Sequence, residues 1–172
     1  MPTMMTSQPP TRNPLVETTR LAIGAVLNAR LADGVDLWLQ AKQAHWNVRG
    51  PNFIALHKLF DEVAEAMEAN VDLLAERVAQ LGGLAHGTVQ AAAAGSTLTA
   101  YPLDMVDEDA HVLAISLGLA GFATALQPDI ERCTREKDAG SADLLIEVSR
   151  SAEKYLWFVE AHLKERKAER SL

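Results

Sequence analysis

The chain has 172 residues and a mass of 18.7 kDa, one domain's worth of protein and enough to bury a core without disulfides or a structural metal. Apolar residues make up 48% and charged residues 23%, which excludes a disordered chain. Sixteen basic against 23 acidic residues give a formal charge of −7, which argues against nucleic-acid binding by the surface as a whole.

Residues 1–13 hold three of the seven prolines together with Ser, Thr and Asn, and predict a flexible tail without a secretory signal. A first helix is expected over residues 15 to about 48, ending at the turn-forming Arg49-Gly50-Pro51-Asn52. A second covers residues 53–81 and is stopped by Gly82-Gly83. Residues 84–103 form a connector whose alanines at 91–94 suit a short helix. A third helix runs from about residue 107 to 137, its acidic first turn of Asp107, Glu108 and Asp109 matching the helix dipole and its Pro128 predicting a kink. A fourth begins after Gly140, with Ser141 as N-cap, and reaches about residue 167. The most apolar stretch, residues 112–126, falls short of the ~18 to 20 residues that span a bilayer, so no membrane partner is expected. Cys133, the single cysteine, has no internal partner, and a soluble protein of the reducing cytoplasm is expected.

No alternating β-branched run is long enough for a strand. Four long helices in two short-turn pairs, joined by one longer crossover containing a short helix, predict an all-α, ferritin-like four-helix bundle.

The second helix separates into two faces at about 100° per residue. Phe60, Val63, Met67, Val71, Leu74, Val78 and Leu81 follow three- and four-residue steps and form the expected core seam. His57, Asp61, Glu65, Glu68, Asp72 and Glu76 share a different arc, with Lys58 the one positive charge at its edge. Exposed helices usually interleave signs, so a stripe this uncompensated points beyond a solvated face. It contains two i, i+4 pairs of metal-ligand type, His57/Asp61 and Asp72/Glu76.

These pairs cannot share a metal within one chain, because the 19 residues from His57 to Glu76 span about 28 Å of helix. Across a two-fold axis, an antiparallel copy of the helix faces residues whose numbers have a constant sum. His57 with Glu76 and Asp61 with Asp72 both sum to 133, so one register brings the two pairs together twice per dimer. Ala66 and Ala69 near its centre would allow close backbone approach. His45 ends the first helix just before the turn that returns to His57, which adds a third candidate ligand. Imidazole with carboxylate suits iron, manganese or zinc, and the absence of thiolates argues against a cysteine-based structural zinc site.

His45-Trp46-Asn47-Val48-Arg49-Gly50, followed by Leu56-His57 and Asp61, resembles the first signature of the Dps proteins, the DNA-binding proteins from starved cells. Val71-Asp72-Leu73-Leu74-Ala75-Glu76-Arg77 with Leu81-Gly82 resembles the second, and Tyr101-Pro102-Leu103-Asp104 and Leu156-Trp157-Phe158-Val159-Glu160 are similar to the family as well. The resemblance covers about residues 15–163 and sets a domain of residues 14–168 between the tail of 1–13 and a short end of 169–172. It implies a hollow spherical dodecamer built from two-fold dimers, with a ferroxidase centre at the two-fold interface. His45, His57 and Asp61 of one subunit would bind iron with Asp72 and Glu76 of its mate. The implied chemistry oxidises Fe(II) with hydrogen peroxide in preference to dioxygen and stores ferric oxide in the cavity. Trp46 is similar to the family's aromatic that supplies or traps an electron. Glu62, Glu65 and Glu68 are candidates for mineral nucleation, and Asp138 and Asp143 fall by position where the family lines its three-fold pores.

Glu108 and His111 have the Glu-x-x-His spacing of intrachain di-iron sites, but such sites use a second copy of that motif, and the pair is read as helix-start polarity. Cys133 is expected to be inert, and His86 and His162 are given no role. DNA as a partner is a separate question. Family members that condense DNA generally use a lysine-rich tail, whereas here Arg12 is the one cation before Arg20. The C-terminal Lys164-Glu165-Arg166-Lys167-Ala168-Glu169-Arg170 carries four cations and two acids. A non-enzymatic nucleoid protein acting through that arm, alone or together with iron chemistry, is the alternative reading. A further rival is a zinc or manganese buffer without turnover.

Overall fold

Apolar residues recurring at helical spacing build two antiparallel hairpins that close on each other. In the computed structural model, which describes residues 9–163, the elements are α1 (Glu17–Asn47), α2 (Phe53–Gln80), α3 (Val89–Gly95), α4 (Glu108–Arg135) and α5 (Ala139–Glu160). Helix α1 pairs with α2 and α4 with α5, while α1–α4 and α2–α5 contacts complete the bundle. The crossover from α2 to α4 carries α3, which packs on α1. The described chain is thus the all-α bundle that the sequence predicts. Helix α5 ends at Glu160, short of the expected end near 167, because residues 161–163 turn out of the helix. The basic arm and residues 1–8 of the tail lie outside the described residues.

Phe60, Val63, Met67, Leu74, Val78 and Leu81 of the predicted seam are buried and Val71 is half-buried, joined by Ile23, Leu27 and Leu31 of α1 and by Ile115, Leu119 and Phe122 of α4. Helix α4 is long and apolar enough, by length and composition, to cross a membrane, contrary to the shorter stretch read from sequence. Half of that stretch is buried against the other helices, which accounts for its apolarity. It continues through Pro128, whose missing N–H falls opposite the exposed Thr124 turn, where water can satisfy the carbonyl.

The helix ends follow two recognisable devices. Gly82 at φ +80° closes α2, with Gly82 N–H donating to Ala79 O and Gly83 N–H to Val78 O, each at 2.9 Å. Lys137 at φ +60° closes α4 in the same way, a position where glycine is the usual choice. The N-cap of α5 is Asp138 and not Ser141: the buried Asp138 carboxylate accepts from Ser141 N–H at 3.0 Å and from Arg77 Nη2 at 2.7 Å. A carboxylate that also pairs with Arg77 outcompetes a hydroxyl for that place.

Polar residues on α1 fasten the crossover. Asp33, fully buried, accepts from Thr97 N–H at 2.6 Å and pairs with Arg30 Nη1 at 3.1 Å. Asp36 accepts from Ser96 Oγ at 2.6 Å, and Gln40 Nε2 donates to Thr99 O at 3.2 Å. Asp33→Ala would leave a buried guanidinium short of its partner and a backbone N–H unpaired, so a loss of about 3 kcal/mol is expected in urea denaturation. A change within error would show that Asp129, which faces Arg30 Nε at 3.2 Å, replaces Asp33.

Candidate metal centre

The short turn between α1 and α2 lays the last turn of one against the first turns of the other. His45 and His57 therefore stack, with ring centroids 3.8 Å apart and planes inclined by 20°. Each ring reaches the other's backbone: His45 Nδ1 lies 2.7 Å from His57 O, and His57 Nδ1 lies 2.8 Å from His45 O. A carbonyl oxygen only accepts, so each Nδ1 carries a proton and donates it. In the neutral imidazole this leaves Nε2 of both rings with a free lone pair, the form that ligates a metal. The His45 carbonyl belongs to the last turn of α1, where intrahelical donors run out, so His57 also caps that helix. Phe53 stacks on His57 with centroids 5.1 Å apart.

Asp61 lies one turn further along α2. Its Oδ1 accepts from Lys42 Nζ at 2.6 Å and is 3.8 Å from His45 Nδ1. The Lys42 hydrogen bond holds the Asp61 carboxyl below the usual carboxylate range; burial opposes it, and His45 and His57 add to it. Lys42 also lies 5.9 Å from the ring centroid of Trp46, which is 65% exposed. A groove of about 380 Å³ runs between the helices here, lined by Lys42, Trp46, Asp61, Glu65 and Glu68 among others.

The structure thus brings His45, His57 and Asp61 together. Asp72 and Glu76 are exposed further down α2, Asp72 about 16 Å along the axis from Asp61. Among the described residues, no three His, Cys, Asp or Glu side chains of one protomer converge on a metal-sized space. Glu62, Glu65 and Glu68 are exposed, as is Asp143. Asp138 is buried, and its carboxylate is engaged by Arg77 and by the start of α5. Cys133 is fully buried, and burial pushes its thiol up to about 11.

Glu108 and His111, read from the sequence as helix-start polarity, are only 5% and 1% exposed and do more than that. Glu108 accepts from Asn52 N–H at 3.0 Å and from Asn52 Nδ2 at 2.9 Å, tying the α1–α2 turn to α4. Gly50 in that turn has φ +152°, and a Cβ there would stand 2.2 Å from Glu108 Oε2, so glycine is required. The only sequence signal for this contact was the i, i+3 spacing of Glu108 and His111. Lys42 had one signal, its place one turn before His45 and Trp46 on α1. Lys42→Met is expected to raise the Asp61 pKa toward the ordinary carboxylate value, read by carbon-detected NMR titration of the metal-free protein. An unmoved midpoint would show that the imidazoles, and not Lys42, set it.

A family model for the ferritin-like domain matches residues 24–168. A DNA protection during starvation protein of Agrobacterium fabrum is 38% identical over 156 residues, covering 91% of this chain and 96% of its own length. The tetragonal form of Mycobacterium smegmatis Dps superposes with a TM-score of 0.87 at 34% identity, covering 96% of this chain and 98% of that one. Dps from Microbacterium arborescens in its high iron form superposes with a TM-score of 0.80 at 33% identity, covering 88% and 97%. With a matched domain over most of its length and relatives this similar, the chain belongs to the Dps family of ferritin-like proteins.

Proposed function

We propose that this protein is a ferroxidase and iron store, with its metal site shared between two subunits of a shell, dodecameric by resemblance and located in the cytoplasm. The observation that carries the reading is the His45–His57 exchange, which fixes two imidazoles in the metal-binding tautomer beside Asp61. Asp72 and Glu76 of a two-fold mate complete the ligand set in the register that sums to 133. Iron is the substrate here. Carboxylate ligands attract Fe(II) and favour the more highly charged Fe(III), so the product is stabilised over the reactant. With hydrogen peroxide as oxidant, two Fe(II) supply its two electrons, the O–O bond breaks, and two waters form with two protons from solvent. No hydroxyl radical leaves the site. Trp46 stands at the groove as a spare one-electron donor, and the exposed Glu62, Glu65 and Glu68 offer oxygen ligands to ferric product.

Lys42 is the counter-charge that Asp61 holds before iron arrives, and ligation by Asp61 displaces that hydrogen bond. The two-subunit site is tested by complementation. His57→Ala/Asp61→Ala and Asp72→Ala/Glu76→Ala assemblies are each expected to lose fast peroxide-driven oxidation of anaerobically loaded Fe(II), followed by ferric absorbance. Co-assembled one to one, half the dimers are mixed and each keeps one intact site, so about a quarter of the wild-type amplitude returns. A mixture as inactive as its parents would mean that the ligands do not meet across the two-fold axis.

A second reading, DNA compaction through residues 164–172, is favoured by the DNA protection that the name of the Agrobacterium relative states. Gel shift at low and moderate salt separates the two. A shift that survives moderate salt and disappears on deleting 164–172 would establish the arm. With the −7 charge of each chain opposing contact, no shift at moderate salt is expected.

A further inference from the structure

Tyr101 lies in the crossover, and its phenol meets Nδ1 of His111, one turn into α4. Tyr101 is half-buried, and its partner is enclosed. His111 is 1% exposed, and an apolar cavity of about 210 Å³ adjoins Tyr101, lined also by Gln40, Met105, Leu113 and Leu117. Burial pushes the His111 imidazole down and the Tyr101 phenol up, so at neutral pH the ring is an uncharged base and the phenol keeps its proton. The hydroxyl therefore donates and Nδ1 accepts. Nε2, buried without a hydrogen-bond partner of ordinary geometry, carries the ring's own proton. The Met105 carbonyl and the Asp107 carboxylate both favour positive charge on this ring.

A phenol in contact with a neutral base can release its proton as it releases an electron, and so avoids the high-energy radical cation. Stacking, backbone and one hydrogen bond lead from the metal centre to the helix that carries His111. His57 stacks on Phe53 at 5.1 Å, Phe53 follows Asn52, and Asn52 Nδ2 donates to Glu108 at 2.9 Å. Glu108 and His111 then share one face of α4 at i, i+3 spacing.

We propose that Tyr101 is a one-electron donor, with His111 as the acceptor of its proton, serving the metal centre when peroxide meets a site holding a single Fe(II). This rests on the ferroxidase reading above. Hydrogen peroxide takes one electron from Fe(II) and one from the Tyr101 phenol, its O–O bond breaks, and two waters form with two protons from solvent. Fe(III), a Tyr101 phenoxyl radical and a His111 imidazolium remain. A later Fe(II) returns the electron to Tyr101, His111 returns the proton, and a second Fe(III) is made. A half-filled site thereby completes a two-electron reduction.

The chain has two tyrosines, so Tyr155→Phe leaves Tyr101 alone to be observed. Assembled, full-length Tyr155→Phe protein is loaded anaerobically with less than one Fe(II) per subunit, mixed with hydrogen peroxide and frozen for electron paramagnetic resonance. Ferric absorbance is read on the same samples. The expected result is a tyrosyl signal that narrows with ring-deuterated tyrosine and disappears on adding Tyr101→Phe. His111→Gln in the Tyr155→Phe background is expected to lower the radical yield at least about tenfold. Ferric iron without a tyrosyl signal, or with a tryptophanyl signal only, overturns the proposal and leaves the ferroxidase reading standing. No ferric iron in any sample overturns both. Photochemical oxidation by a ruthenium complex with persulfate checks the pair without iron: radical formation that slows in deuterated water and in His111→Gln supports it, and equal rates overturn the role of His111.

Discussion

Two imidazoles that hydrogen-bond each other's backbone hold one end of this bundle together. The exchange between His45 and His57 closes the hairpin of α1 and α2, supplies a donor to a carbonyl that its own helix cannot satisfy, and decides which ring nitrogens stay unprotonated. One contact thus makes fold and site inseparable. Supports converge on it: Phe53 stacks on His57, and the buried Glu108 grips Asn52 in the turn that joins the two helices. Gly50 makes room for that carboxylate where any side chain would collide with it.

The charge pattern of α2 follows from the same division of labour. At the histidine end an acid is matched by Lys42, so the metal-free protomer carries little unopposed charge there. Further down, Glu65, Glu68, Asp72 and Glu76 stand exposed, and Arg77, the cation that follows Glu76, is engaged by Asp138 and Ser141 instead. Like charges at i, i+4 repel one another, and such a stripe is relieved by a bound cation or by a facing surface that brings one. A shared site, as proposed, relieves it in both ways.

Much of this was legible in the sequence. Periodicity of 3.6 residues gave the helices and the seam of α2, because apolar burial is strong and repeats locally. The Arg49–Asn52 turn and the glycines after α2 marked helix ends through backbone conformation, which is also a local property. Contacts between residues distant in sequence were hidden. Glu108 looked like an acid favoured by a helix dipole, and only the fold shows Asn52, 56 residues away, waiting for it. Ser141 had the side chain of an N-cap, but Asp138 takes that place because Arg77, brought in from α2, completes its ion pair. Asp33, Asp36 and Gln40 gave no sign that they would hold the crossover, since helical spacing says which residues share a face and not what lies opposite.

The sealed thiol of Cys133 has a practical meaning. Thiolate is the form that peroxide attacks, and a thiol raised to about 11 inside the bundle is almost wholly protonated at neutral pH and out of reach. Oxidant therefore has no sulfur sink of this kind to waste itself on. The same inertness makes the native protein a blank for chemistry added from outside. A cysteine engineered at any exposed position would be the sole reactive thiol of its subunit, and a dye, spin label or cross-linker attached there would report from one known place.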